Sequence, residues 1–582
     1  MIITRKAAGL TALVSTGLLA TAACSGTTAP SQGGTSGGSA SATKGGTLYY
    51  LTKRPAEHLD PQRIYIGRDL ANMNRLVYRD LVSLPISTDL KEGTTPVPDL
   101  ATDTGTSTEG GKVWSFTLRD GVKWQDGKDV TCEDLKYGFS RGFAVDVLTG
   151  GPNYALAYLD VPQKNGLPVY NGPYKKGGQA EFDKAVTCEG KKITYHFNKP
   201  WVDFPLAIAS LRFAAPYRAD QDKGDQSNYA IFSDGPYMLE GTWKKGVGGT
   251  FVRNTNWDPK TDSDKVRKAL PDKIVFVEGL TNEIISQRLI ADSGNDKFAV
   301  TDRRIPAALF SQVTGNPAVQ SRATLVDAPF IDYVLPNFNR MKDLKVRQAL
   351  AMATDSNAYI TAQGGDKFGK PAKSIVSPAL IGYKDNPNFT APPNGDAAAA
   401  KKMLQEAGVA MPYPIRYTYN GGTSEVDNAA AGMKAAWDKA GFQVTLDPLT
   451  DTYYDVIQNP ANNKSDVVWG GWGADWPSQA TVLPPLFDAR INLTEKSNGQ
   501  DYGNYKSDAT NKLIDEAAAQ PDVESAAKVY NQLDDQLGKD VAYIPLAVQK
   551  FYFLRGSGVT NYLQTPASNS YPELGAIGVS SK

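Results

Sequence analysis

The chain has 582 residues, and its 62 Lys and Arg are balanced by 62 Asp and Glu, so no basic excess advertises nucleic acid. Single hydrophobic cores stop growing near about 250–300 residues, so this length requires more than one lobe. Three Cys and two His leave little material for a metal centre or for histidine chemistry, and no cofactor or metal is expected.

Taken in chain order, Arg5 and Lys6 precede a run of small and apolar residues from Ala7 to Ala23. The run is short and rich in Ala, Thr and Gly, whereas a membrane span needs about 20 predominantly apolar residues. A secretory signal over 1–23 fits better. It ends in Thr21-Ala22-Ala23-Cys24-Ser25-Gly26, which resembles a bacterial lipobox with Cys24 as the lipidated residue, although Thr21 stands where Leu is usual. The alternative is ordinary cleavage near Ala23, leaving Cys24 a free thiol. Residues 24–44 are almost entirely Ser, Gly, Thr and Ala and cannot bury enough apolar surface to fold. Such a linker reaches on the order of 25 Å. Its Gly34-Thr35-Ser36-Gly37-Gly38 matches a nucleophile elbow only formally, because that motif needs a strand–turn–helix setting.

Thr47 to Leu51 reads as a strand, and the spacing of Leu70, Met73, Val77 and Leu81 predicts a helix over 68–82. From Val113 the chain reads as a series of hairpins: Val113 to Leu118 is β-rich, and Asp120-Gly121 and Asp126-Gly127 are turn signals. Thr131 with Asp134 forms a capping box for the next helix, and Ile193 to Phe197 alternates as a strand. Further on, Leu344 to Ala353 is a helix, and Asp396 to Ala407 a second one stopped by Gly408. The order strand (Ile415–Tyr419), helix (Ser424–Ala440), strand (Phe442–Leu446) implies a parallel sheet covered by helices, hence an α/β second half. With Cys24 given to lipid, Cys132 and Cys188 remain as an even pair in an exported chain, which favours a disulfide over two buried free thiols.

These segments resemble, in order and nearly end to end, the peptide/nickel-type solute-binding proteins that serve ABC importers. The resemblance rests on Gly45-Gly46-Thr47-Leu48, Leu59-Asp60-Pro61, Pro98-Asp99-Leu100-Ala101, the passage Leu118 to Gly127 with Glu133 to Tyr137, Gly235-Pro236-Tyr237, Val252-Arg253-Asn254, Val346 to Leu350, and Gly471-Trp472-Gly473-Ala474-Asp475-Trp476. It implies a two-lobe periplasmic-binding-protein-like fold with two crossover strands, near Thr301 and near Ile544-Pro545-Leu546. Lobe one would cover 45–300 with a hairpin-rich inserted subdomain at about 86–200, lobe two 301–544, and 545–582 would return to lobe one. A bond between Cys132 and Cys188 would then staple the inserted subdomain.

The resemblance also implies site residues. Asp475 occupies the position where peptide-binding members pair an Asp with the ligand's ammonium, a charge-assisted contact. Trp472 is the cleft candidate among the crowded Trp469, Trp472 and Trp476, with Trp469 read as core. Tyr453 and Tyr454 both fit the place of an aromatic bordering the cleft. Tyr419 and Asn420 lie beyond the carboxyl end of a strand, where α/β sheets gather ligands. Tyr417 takes the position of the Arg with which dipeptide-type members grip a carboxylate, while Arg416 faces the other way, so a longer peptide, or another ligand altogether, is favoured over a dipeptide. Ala56, after Pro55, belongs to a loop offering backbone contacts, and Asn339 either borders the cleft or caps a turn.

A catalytic reading has little support: His58 and His196 lack evident partners, and no metalloprotease, Walker or Rossmann motif is present. The expectation is a monomeric, extracytoplasmic lipoprotein, anchored to the outer face of a bacterial cell membrane, that hands a short peptide to importer permeases. An oligosaccharide ligand, or a surface signalling role, is the alternative.

Overall fold

The computed structural model describes residues 44–580. The expected signal segment, Cys24 and the linker as far as residue 43 lie outside the described residues. No helix among those described is long and apolar enough to cross a membrane.

The first lobe is built on a five-stranded sheet in the order Tyr237–Lys244, Gly248–Arg253, Lys273–Val277, Thr47–Leu51, Ala299–Thr301. Thr47–Leu51 has its expected bounds and pairs in parallel on both sides, sending Leu48 and Tyr50 into the core. The helix expected over 68–82 spans Gly67–Leu76 instead. Beyond Leu76 the Val77 carbonyl accepts the N–H groups of Asp234 and Gly235, and Asp234 accepts the Arg79 N–H at 2.9 Å. Val77 and Leu81 remain in the core, so the apolar spacing outlasts the point where tertiary hydrogen bonds replace helical ones.

Inserted into this lobe is a four-stranded antiparallel sheet in the order Thr106–Thr108, Val113–Thr117, Lys192–His196, Val186–Glu189. The Thr131–Asp134 capping box is present, and it starts the helix Cys132–Arg141. Cys132 and Cys188 are bonded, tying the first turn of that helix to the strand Val186–Glu189. Gly121 and Gly127 both take positive φ, as Asp-Gly turns require. The segment between them makes a single bridge, Lys123 with Asp129, because Trp124 turns inward and donates to Asp134.

The second lobe holds a six-stranded sheet in the order Gly369–Pro371, Ile544–Leu554, Ala323–Pro336, Val467–Gly473, Tyr413–Asn420, Phe442–Leu449. Tyr413–Asn420, the helix Ser424–Lys439 and Phe442–Leu449 form the expected parallel unit. The long strands Ala323–Pro336 and Ile544–Leu554 run antiparallel to each other and join the two lobes. Tyr552 and Leu554 pack with Leu51, Ile285 and Leu289 of the first lobe, whereas Leu546 and Ala547 pack in the second.

The crossing therefore lies within these strands, at the irregular register between Asp327 and Ile331. It does not lie near Thr301: Ile305, Leu309, Val313 and Val319 belong to the first-lobe core. Thr301 ends a first-lobe strand, and the short helical turns after it cover the same lobe before the chain crosses. The return crossing likewise comes after Ile544–Leu546 rather than at it.

Candidate functional site

The strand Val467–Gly473 delivers a loop to the junction of the lobes. A Cβ on Gly473 would collide with the Phe330 ring, and one on Gly470 with the Tyr333 ring, so both positions admit only glycine without rearrangement. Gly471 between them is exposed, which leaves the sheet surface open beside the loop.

Asp475 follows two residues after Gly473. Its Oδ2 accepts the Tyr65 hydroxyl at 2.7 Å and the Tyr154 hydroxyl at 2.5 Å, and both tyrosines belong to the first lobe. No cation lies within ion-pair distance of it among the described residues. Burial raises its pKa above the usual carboxylate range, and the two phenol hydrogen bonds pull the other way. Burial and the adjacent carboxylate also push both phenols up, so they remain neutral donors. The result is a withdrawn carboxylate with two neutral partners and an unmet demand for a cation.

The neighbouring tryptophans divide their work. Trp476 is buried in the first-lobe core, 4.8 Å from the Tyr154 ring, and its Nε1 donates to Asp203 at 2.8 Å. Trp472 is half-buried against the second-lobe core and donates to the Thr481 carbonyl at 2.8 Å. Trp469 donates to the Tyr359 hydroxyl at 3.0 Å. That hydroxyl donates in turn to Asp332 at 3.1 Å, and Asp332 also accepts the Gln549 amide at 2.7 Å. Asp332 and Gln549 stand on the two crossover strands, so this chain of hydrogen bonds runs along the hinge. Burial pushes the Asp332 carboxyl up to about 6.

Of the paired tyrosines, Tyr453 is fully buried and its hydroxyl donates to the Trp469 carbonyl, whereas Tyr454 is 46% exposed. Asn420 lies beside the Tyr454 hydroxyl, which sets two of the expected site residues next to each other. Tyr419 is buried with Asp427 nearby, and Tyr417 is sealed between Tyr419 and Trp437 at 5.3 and 5.2 Å. Ala56 is buried with its N–H on Glu278 at 2.7 Å and its carbonyl on the Tyr229 hydroxyl at 2.9 Å, so its backbone groups are already engaged. Asn339 is not brought to this site. Pairing sets Phe330 beside Gly473 and Pro336 beside Val467, so Asn339 follows the opposite end of its strand, where its N–H donates to Asn337 Oδ1 at 3.0 Å. Tyr65, Tyr154, Asp332 and Gln549 escaped the sequence reading, since none shares a local motif with the loop that each approaches.

A separate cavity of about 250 Å³ lies in the second lobe among Met352, Phe389, Pro392, Met403 and Val541, and none of its lining residues belongs to the Asp475 loop. Among the described residues no group of three or more His, Cys, Asp or Glu could hold a metal ion.

The sequence profile of the bacterial extracellular solute-binding proteins, family 5 Middle, matches residues 95–493. The chain belongs to this family. Membership makes it a solute-binding protein of the kind that serves ABC importers, with the two-lobe architecture described above. The chain is 25% identical over 446 residues to the periplasmic oligopeptide-binding protein OppA of Salmonella typhimurium, covering 75% of this chain and 76% of the relative. It is 24% identical over 458 residues to a probable deoxycholate-binding periplasmic protein, YgiS, of Escherichia coli, covering 76% and 78%. Among solved structures, clavulanic acid biosynthesis oligopeptide binding protein 2 superposes with a TM-score of 0.84 at 26% identity, over 93% of this family 5 chain and 97% of that one.

Proposed function

We propose that this chain is a lipid-anchored, extracytoplasmic receptor that captures short peptides, oligopeptides rather than dipeptides, between its lobes and delivers them to an ABC importer. Asp475 carries the reading. A half-buried carboxylate with two phenol donors and, among the described residues, no cation, at a junction between lobes, suits an α-ammonium whose charge replaces the missing partner. Tyr454 and Asn420 supply a polar aromatic wall, and the open surface at Gly471 accommodates backbone without prescribing side chains. The oligopeptide-binding relatives support the peptide class, and the deoxycholate-binding relative keeps the experiment necessary. Anchoring rests on Cys24 in its lipobox-like setting, with the linker as tether.

Thermal-shift screening of the mature chain against peptides of graded length and against oligosaccharides tests the ligand class. A ligand present at 100 times its Kd stabilises the folded state by about 2.7 kcal/mol. Peptides longer than two residues are expected to raise the melting temperature, and oligosaccharides to leave it unchanged. A shift with saccharides alone contradicts the proposal.

A further inference from the structure

We infer that Arg304 is a ligand subsite for an anionic group, the terminal carboxylate of a peptide, an assignment that rests on the peptide reading above. Arg304 lies just after the strand Ala299–Thr301, where the first lobe meets the crossover strands. Its Nη2 donates to Gln549 on the second crossover strand, the one side-chain hydrogen bond it makes among the described residues. The guanidinium lies 5.1 Å over the Phe551 ring and 5.3 Å over the Phe368 ring. Phe551 stands on the crossover strand and Phe368 in the second lobe, so the two rings fix the plane of the guanidinium at the junction.

Four other arginines of the first lobe, all buried, are neutralised. Arg68 pairs with Asp302 at 3.0 Å, Arg75 with Glu573 at 2.8 Å, Arg79 with Asp99 at 2.8 Å and Arg141 with Asp60 at 2.5 Å. Among the described residues Arg304 has no carboxylate within ion-pair distance. The acid that acts on it most, Asp332, is held by Gln549 and Tyr359, and Asp302 is taken by Arg68 and Arg303. Its Nε and Nη1 have no partner among the described residues, yet they are not among the polar atoms sealed from solvent. Burial depresses its pKa from the ordinary arginine value, the mark of a cation that would gain from an anion.

The position relative to Asp475 follows from the strands. Asp332 pairs with Gly471, and Asp475 stands four residues further along the same chain. The four residues from Gly471 to Asp475 can span at most about 14 Å, so a short peptide suffices to reach from Asp475 toward the guanidinium. The intervening surface is the one left open at Gly471.

The test is calorimetric titration of the wild type, R304Q and R304K with tetraalanine, pentaalanine and their C-terminal amides, with unfolding curves to establish that each variant folds. Amidation is expected to weaken binding to the wild type roughly 10–100-fold, the range for hydrogen bonds to charged groups. R304Q is expected to bind acid and amide alike, at the weak level, with R304K between. If R304Q keeps the wild-type preference for the acid, or if the wild type ignores amidation, Arg304 is not the subsite, while loss of binding on N-acetylation would leave the peptide reading standing. If the wild type binds neither peptide, both fail. Should R304Q not fold, R304K must narrow the ratio of acid to amide, and an unchanged ratio overturns the assignment.

Discussion

Asp332 and Asp475 are carboxylates whose folded-state pKa burial raises, and the sign of the consequence is the same for both. A carboxyl that holds its proton more tightly when folded contributes stability below its unfolded pKa and loses that contribution as pH rises through the folded one. For Asp332 the window runs from about 4 to about 6, and the swing is of order 3 kcal/mol. D332N is therefore expected to flatten the dependence of unfolding free energy on pH across that window, measured by denaturant titration at graded pH. An unchanged slope would show that the carboxyl titrates normally. At this scale the sequence marked Asp475, because its run of Gly and Trp resembles the family's ligand loop. It did not mark Tyr65 and Tyr154, which stand 410 and 321 residues away and meet Asp475 only through the fold. Arg304 was equally invisible, since an arginine shows its lack of a partner only when its neighbours are in place.

Elements with local determinants were legible. Thr47–Leu51 and the helix Leu344–Ala353 have the expected bounds, and the capping box starts its helix where Thr131 and Asp134 place it. Where a distant segment takes over the backbone hydrogen bonds, as Asp234 and Gly235 do at Val77, periodicity misplaced the end of the helix. The crossovers were misplaced for a related reason. Each changes lobes inside a continuous strand, at an irregular register that leaves no break in the sequence. The disulfide gives a prediction at this scale. Cys132 and Cys188 close a stretch of 56 residues within the inserted subdomain. Replacing both by Ser is expected to lower stability by about 2–4 kcal/mol in thermal or denaturant unfolding. Peptide affinity should stay within about twofold, because the bond lies apart from Asp475 and its donors. A parallel loss of affinity would show instead that the subdomain shapes the site.

At the scale of the whole molecule, the two lobes are joined by two strands and held together at the Asp475 loop. There Asp475 receives two first-lobe phenols and Trp476 enters the first-lobe core. A ligand that bridges the lobes favours the closed arrangement by whatever it gains there over the open one. The two-lobe plan was legible because ordered motifs spread along almost the whole chain carried it, whereas the contacts across the junction were not, since they join residues hundreds of positions apart. The central claim is that Asp475 receives the ammonium of a peptide. Calorimetric titration of the wild type and D475N with one oligopeptide and its N-acetylated form tests it most directly. The wild type is expected to prefer the free amine by roughly 10–100-fold, the scale of a hydrogen bond between charged groups, and D475N to lose that preference. The same preference in both proteins would contradict the account.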